Sequence, residues 1–95
     1  MPPVDLGALL DQAISLHQAG RLAEAQAGYR AILAAAPLDF DALHLLGVTQ
    51  FQLGDPAAAA DTISRALALR QDAGALTNLA LAQSAPGQTE AALAS

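Results

Sequence analysis

Histidine and carboxylate side chains are the residues of this sequence whose types and spacing could do chemistry. His17 and His44 are the two histidines, and the sequence has no cysteine. Asp39 and Asp41 are two residues apart, a spacing that points them to different sides of a helix. Paired-carboxylate catalysis needs both groups in one cleft, so the start of a helix explains these acids better. We therefore expect no metal ion, no other cofactor and no catalytic site, and the protein is not expected to be an enzyme.

The charge balance limits the classes of partner. Four arginines, no lysine and nine acidic residues give a formal net charge of −5. Nucleic acids and anionic membrane surfaces both attract basic stripes, and this sequence has none. No apolar run reaches the roughly 18 residues that a transmembrane helix needs, and the start has no positive n-region. We expect a cytoplasmic protein that binds neither nucleic acid nor membrane.

The apolar residues are mostly small or helix-forming. The apolar fraction is 54% although aromatic residues make up only 3% of the chain. Alanine and leucine supply most of it, and both favour helices, whereas β-branched residues are few. The composition predicts an all-α chain.

A repeat of 34 residues runs through the sequence. Gly20 and Gly54 are 34 residues apart, and Ala25 and Ala59 keep the same spacing. A weaker third copy follows one residue short of this period, with Gly87 at its turn. Internal repeats of this length are typical of stacked helical units, each of which buries its apolar face on the next.

Each copy has the pattern of two helices joined by a tight turn. The glycines suit a left-handed C-terminal cap, Pro37 ends a helix, and Asp39, Asp55 and Asp72 are placed to cap the helices that follow. Apolar residues at spacings of three and four give each helix one buried stripe. The predicted helices cover residues 6–19, 22–35, 39–53, 56–70, 73–84 and 88–94.

These positions resemble the tetratricopeptide repeat (TPR) family. The resemblance covers nearly the whole chain, with repeats at about residues 6–39, 40–72 and 73–95, the last incomplete. It implies antiparallel helical hairpins stacked as a short right-handed solenoid. The residues that match the family's turn glycine, small crossing residue, second-helix aromatic, leucine–small pair and terminal proline are Gly20, Gly54, Ala25, Ala59, Ala92, Tyr29, Leu46, Gly47 and Pro37.

The resemblance also implies a binding face. In such stacks the first helices of the repeats line the concave side, and their outward positions contact a polypeptide partner. An apolar or helical peptide suits a stripe of this composition, although Leu10, Ile14 and Val48 could instead be ordinary core residues. The residues at the implied binding positions are Leu10, Ile14, His17, Gln18, His44, Val48, Phe51, Gln52 and Leu81.

Two alternatives to peptide binding remain open. The unfinished third repeat exposes Leu76, Leu79 and Leu93, which could pack on a second copy and form a homodimer. The first two repeats are also similar to the N-terminal TPR arrays of bacterial O-linked N-acetylglucosamine transferase-like glycosyltransferases. On that resemblance the chain would be the regulatory arm of a larger enzyme.

Overall fold

Five α-helices follow one another in the computed structural model, which describes residues 5–85. They are α1 (Leu6–Gln18), α2 (Leu22–Ala35), α3 (Phe40–Gln52), α4 (Pro56–Leu69) and α5 (Ala73–Gln83). The all-α fold class is confirmed, and the bounds of these five helices match the sequence-based prediction to within one residue. The sixth predicted helix, 88–94, lies outside the described residues.

Aspartates begin most of the helices. Asp5, Asp39, Asp55 and Asp72 each accept a hydrogen bond from the backbone N–H three residues later, at 2.9–3.1 Å. Such a cap satisfies an N–H group that has no partner within its helix, and each is worth about 1 kcal/mol. Pro56 follows its cap at the first helical position, where the missing N–H costs nothing. The predicted capping roles are confirmed.

The turns inside the first two helical hairpins are built in the same way. Gly20 and Gly54 have φ angles of +80° and +89°, which only glycine adopts readily. The residues that follow them, Arg21 and Asp55, each donate a backbone hydrogen bond of 2.9 Å to a carbonyl five residues earlier. This pattern is a Schellman motif, so both helices end at a repeated left-handed cap.

Consecutive helices pack against each other along the chain. The core contains the small residues Ala25 and Ala59 and the large residues Tyr29 and Ile63, all with no exposed surface. Small side chains at a helix crossing allow the axes to approach closely, while the large ones fill the space on either side. None of the described helices has the length and apolar character needed to cross a membrane.

The tightest crossing lies between α3 and α4. A Cβ atom added to Gly47 would lie 2.4 Å from Cγ1 of Ile63, which is closer than any real contact of this kind. We expect Gly47→Ala to lower the free energy of unfolding by about 1–3 kcal/mol, because overpacking outweighs the roughly 1 kcal/mol that alanine gains over glycine in a helix. Urea denaturation followed by circular dichroism measures the change.

A double-mutant cycle isolates the cause. In the Ile63→Ala background the clashing atoms are gone, so Gly47→Ala should become neutral or stabilising. Equal losses in both backgrounds would show that the clash with Ile63 is not responsible.

Candidate functional site

The first helices of successive repeats are α1, α3 and α5, and side-chain hydrogen bonds join each of them to the next. Since helices consecutive in the chain are joined by short turns and pack on each other, we infer that these three run in roughly the same direction. His17 near the end of α1 is hydrogen-bonded to Gln52 at the end of α3. His44 in the second turn of α3 is hydrogen-bonded to Asn78 in the second turn of α5. We call the outer surface of these three helices the first-helix face. It contains the binding positions implied by the sequence.

His17 is hydrogen-bonded to two neighbours, and a third polar side chain lies close by. Its Nε2 atom meets Oε1 of Gln52, which can only accept, so Nε2 carries the proton. Its Nδ1 atom then accepts from the Tyr29 hydroxyl at 3.1 Å. The Thr49 hydroxyl lies 3.5 Å from the same nitrogen and donates to the carbonyl of Leu45 at 2.8 Å. Both ring nitrogens are therefore engaged in links between helices.

His44 makes a similar link to the next helix along. Its Nε2 atom accepts a hydrogen bond of 3.0 Å from the side-chain amide of Asn78. Its ring lies 5.7 Å from the ring of Phe40, measured between centroids, and the guanidinium carbon of Arg70 lies 3.9 Å from the centroid of that phenyl ring.

Within residues 5–85 no group of three histidine, cysteine or acidic side chains is placed to hold a metal ion.

Apolar side chains form a shallow cleft between α3 and α5. Val48 and Phe51 line one side, Asn78 and Leu81 line the other, and Ile63 of α4 forms the floor. Phe51 is 38% exposed and Leu81 is 54% exposed, which is high for side chains of this size. We call this feature the α3–α5 cleft.

The other sequence-predicted residues divide into two groups. Leu10 and Ile14 are half-buried and pack against the core cluster that includes Ala13 and Tyr29, so much of their surface is already covered by the core. Gln18 and Gln52 are exposed at the ends of α1 and α3. The structure thus brings Val48, Phe51 and Leu81 together, while Leu10 and Ile14 contribute mainly to the core.

Sequence reasoning missed the hydrogen-bond partners of the histidines. Tyr29 was not predicted as a partner of His17, nor Asn78 as the partner of His44. A signal was present, because Gln52 follows His17 by 35 residues and Asn78 follows His44 by 34. One repeat length places such pairs on neighbouring helices, so polar residues at this spacing can meet.

A scan against protein-family models gave no match, and a search of curated proteins found no relative.

Tyr29 connects this face to the core. The side chain has no exposed surface, and burial raises the pKa of its phenol because the phenolate would lose its hydration. A raised pKa means that the folded state holds the proton more tightly than the unfolded state. The stability that this supplies is complete below the unfolded pKa of about 10 and is lost as pH rises through the folded pKa.

We expect the free energy of unfolding to fall above about pH 10, with the loss absent in Tyr29→Phe. The sequence has one tyrosine and neither lysine nor cysteine, so no other side chain titrates in this range. At neutral pH the variant should be about 1 kcal/mol less stable because the hydrogen bond to His17 is gone. Urea denaturation at a series of pH values measures both effects. An alkaline loss of equal size in the variant would assign it to a group other than Tyr29.

Proposed function

We propose that the chain is a TPR-type protein-interaction module whose first-helix face is the concave side of a short right-handed solenoid. This face binds an apolar or helical segment of another polypeptide. Support comes from the hairpins α1–α2 and α3–α4, which have the same left-handed glycine cap, and from the hydrogen bonds that join α1 to α3 and α3 to α5.

The observation that carries the proposal is the exposure of Phe51 and Leu81 beside one cleft. Isolated apolar residues on a surface are ordinary, but neighbouring ones around a concavity usually mark a contact site. The cleft has a volume of about 20 Å³, which is close to the space of one water molecule. It therefore suits the tip of a partner side chain, with the exposed rims of Phe51 and Leu81 supplying the wider contact.

The face is also held firmly enough to bind without reorganising. Its side chains stand on helices rather than loops, and the histidine bonds fix neighbouring helices against each other. A surface ordered in advance loses less conformational entropy on binding. The same bonds occupy three of the four histidine ring nitrogens, which supports a structural role for these residues rather than a catalytic one.

A specific observation favours homo-oligomerisation as a second candidate. Leu76 on α5 is 48% exposed and Ala80 is exposed, whereas Gly47 and Ala13, one and two repeats before Ala80, are buried by α4 and α2 respectively. A second copy could cover this surface. Light scattering across a wide concentration range separates the candidates, since self-association makes the mass rise with concentration.

A third candidate, the regulatory arm of a larger glycosyltransferase, stays a proposal that rests on sequence resemblance.

We expect Phe51→Ala and Leu81→Ala each to weaken partner binding by about tenfold or more, since each removes apolar contact worth about 1.5–3 kcal/mol when fully buried. The probe is a designed amphipathic helix of about four turns with one leucine stripe. Fluorescence anisotropy measures the dissociation constant.

Leu69→Ala is the matched control, because Leu69 is 41% exposed but lies on α4, outside the first-helix face. All three variants should keep the helical circular dichroism spectrum of the parent protein. Equal affinities for the parent, Phe51→Ala and Leu81→Ala would rule out the α3–α5 cleft as the binding site.

A further inference from the structure

The charged residues are sorted between the two sets of helices. The four arginines lie on α2 and α4 or at their ends: Arg21, Arg30, Arg65 and Arg70. The acidic residues Glu24, Asp55 and Asp61 share those helices. By contrast α1, α3 and α5, with their N-cap residues, carry acidic residues and no arginine: Asp5, Asp11, Asp39, Asp41 and Asp72. The first-helix face is therefore acidic as well as apolar.

Helix dipoles reduce this charge without cancelling it. Asp5, Asp39 and Asp72 cap helix N-termini, and each such end carries roughly half a positive charge. Asp11 and Asp41 lie beyond the caps, and both side chains are exposed. Because the three helices run in the same direction, their capped ends lie at one edge of the face. We therefore expect a net negative potential at that edge.

One cation reaches this edge from the second helices. The Nη2 atom of Arg70 lies 4.0 Å from Oδ1 of Asp41, and both side chains are more than 60% exposed. At this distance and exposure the pair is weak. The stacking of Arg70 on Phe40 holds the guanidinium in place. Arg70 therefore occupies the position beside the Asp41 carboxylate that a cationic side chain of a partner would take.

We propose that the partner segment is a basic amphipathic helix, whose apolar stripe enters the α3–α5 cleft and whose Lys or Arg side chains meet Asp41 and Asp11. This inference rests on the proposed function and names the chemistry of its partner. Charge complementarity selects this occupant over a second copy of the chain, because two acidic faces repel. Arg70 then acts as an internal competitor for Asp41.

Three designed helices test the charge preference. They share one leucine stripe and differ only in carrying lysine, glutamine or glutamate on the polar face. We expect the lysine helix to bind about tenfold more tightly than the glutamine helix, with the glutamate helix weakest. The differences should shrink when the salt concentration is raised from about 0.05 to 0.5 M, because salt screens exposed charges.

Charge variants of the protein test the residues. Asp11→Asn with Asp41→Asn should weaken binding of the lysine helix about three- to tenfold. The control pair Glu24→Gln with Asp61→Asn changes the net charge equally on the other helices and should leave affinity within about twofold. The cap aspartates are left intact because their loss would also weaken the helices.

Substitution of Arg70 gives the sharpest test, because a competitor and a structural residue predict opposite changes in affinity. Removing a competitor should strengthen binding, so Arg70→Gln is expected to tighten the lysine complex about two- to fivefold. Arg65→Gln, which changes the net charge identically from the outside of α4, should not. A merely structural role for Arg70 would weaken binding instead, and that result would overturn its assignment as a competitor.

The outcomes separate this inference from the proposed function. Equal binding of the lysine and glutamine helices, still sensitive to Leu81→Ala, would leave the interaction module standing and overturn the charge preference. If the lysine helix binds the Leu81→Ala variant as tightly as the parent protein, binding is adsorption by charge alone, and both the proposed function and the charge preference are overturned. Absence of binding by all three helices would also overturn both. A mass that rises with concentration while peptide binding disappears would show a second copy on the face and overturn the basic partner.

Discussion

The close approach of the two helices in each hairpin is the constraint on which the rest of the structure depends. Glycine and alanine stand where the helices cross, and Gly47 leaves no room for even a methyl group beside Ile63. A contact this tight fixes the rotation of α3 about its own axis. Once Gly47 faces α4, Val48 and Phe51 are set on the remaining surface. The binding positions are thus determined by residues that never meet a partner.

Local signals in the sequence were sufficient to predict the helices. Glycine with positive φ, aspartate before a helix and proline at its first position each act within a few residues, so Gly54, Asp55 and Pro56 together define one turn and one helix start. Such signals do not depend on how the helices later pack. For this reason the predicted bounds agreed closely with the structure in the described part of the chain.

The exposure of individual site residues could not be predicted in the same way. Ile14, Val48 and Leu81 occupy equivalent places in successive repeats, yet Leu81 is 54% exposed and the other two are half-buried. Periodicity gives the direction in which a side chain leaves its helix but not how many neighbours surround it. Ile14 packs against the core cluster that includes Ala13 and Tyr29. The reach of Arg70 across to Asp41 likewise depends on its stacking over Phe40, which no local pattern encodes.

The packing of each helix on the next in sequence has a consequence for how the chain folds. Most contacts join residues close together along the chain, whereas the His17–Gln52 and His44–Asn78 bonds span 35 and 34 residues in the described part. Proteins dominated by local contacts lose little loop entropy before their contacts form, so they fold quickly. A hairpin such as α1–α2 can therefore form before α5 is in place, whereas the His17–Gln52 and His44–Asn78 bonds close only when successive repeats align. These two bonds join α1 to α3 and α3 to α5, and so hold the register between successive repeats.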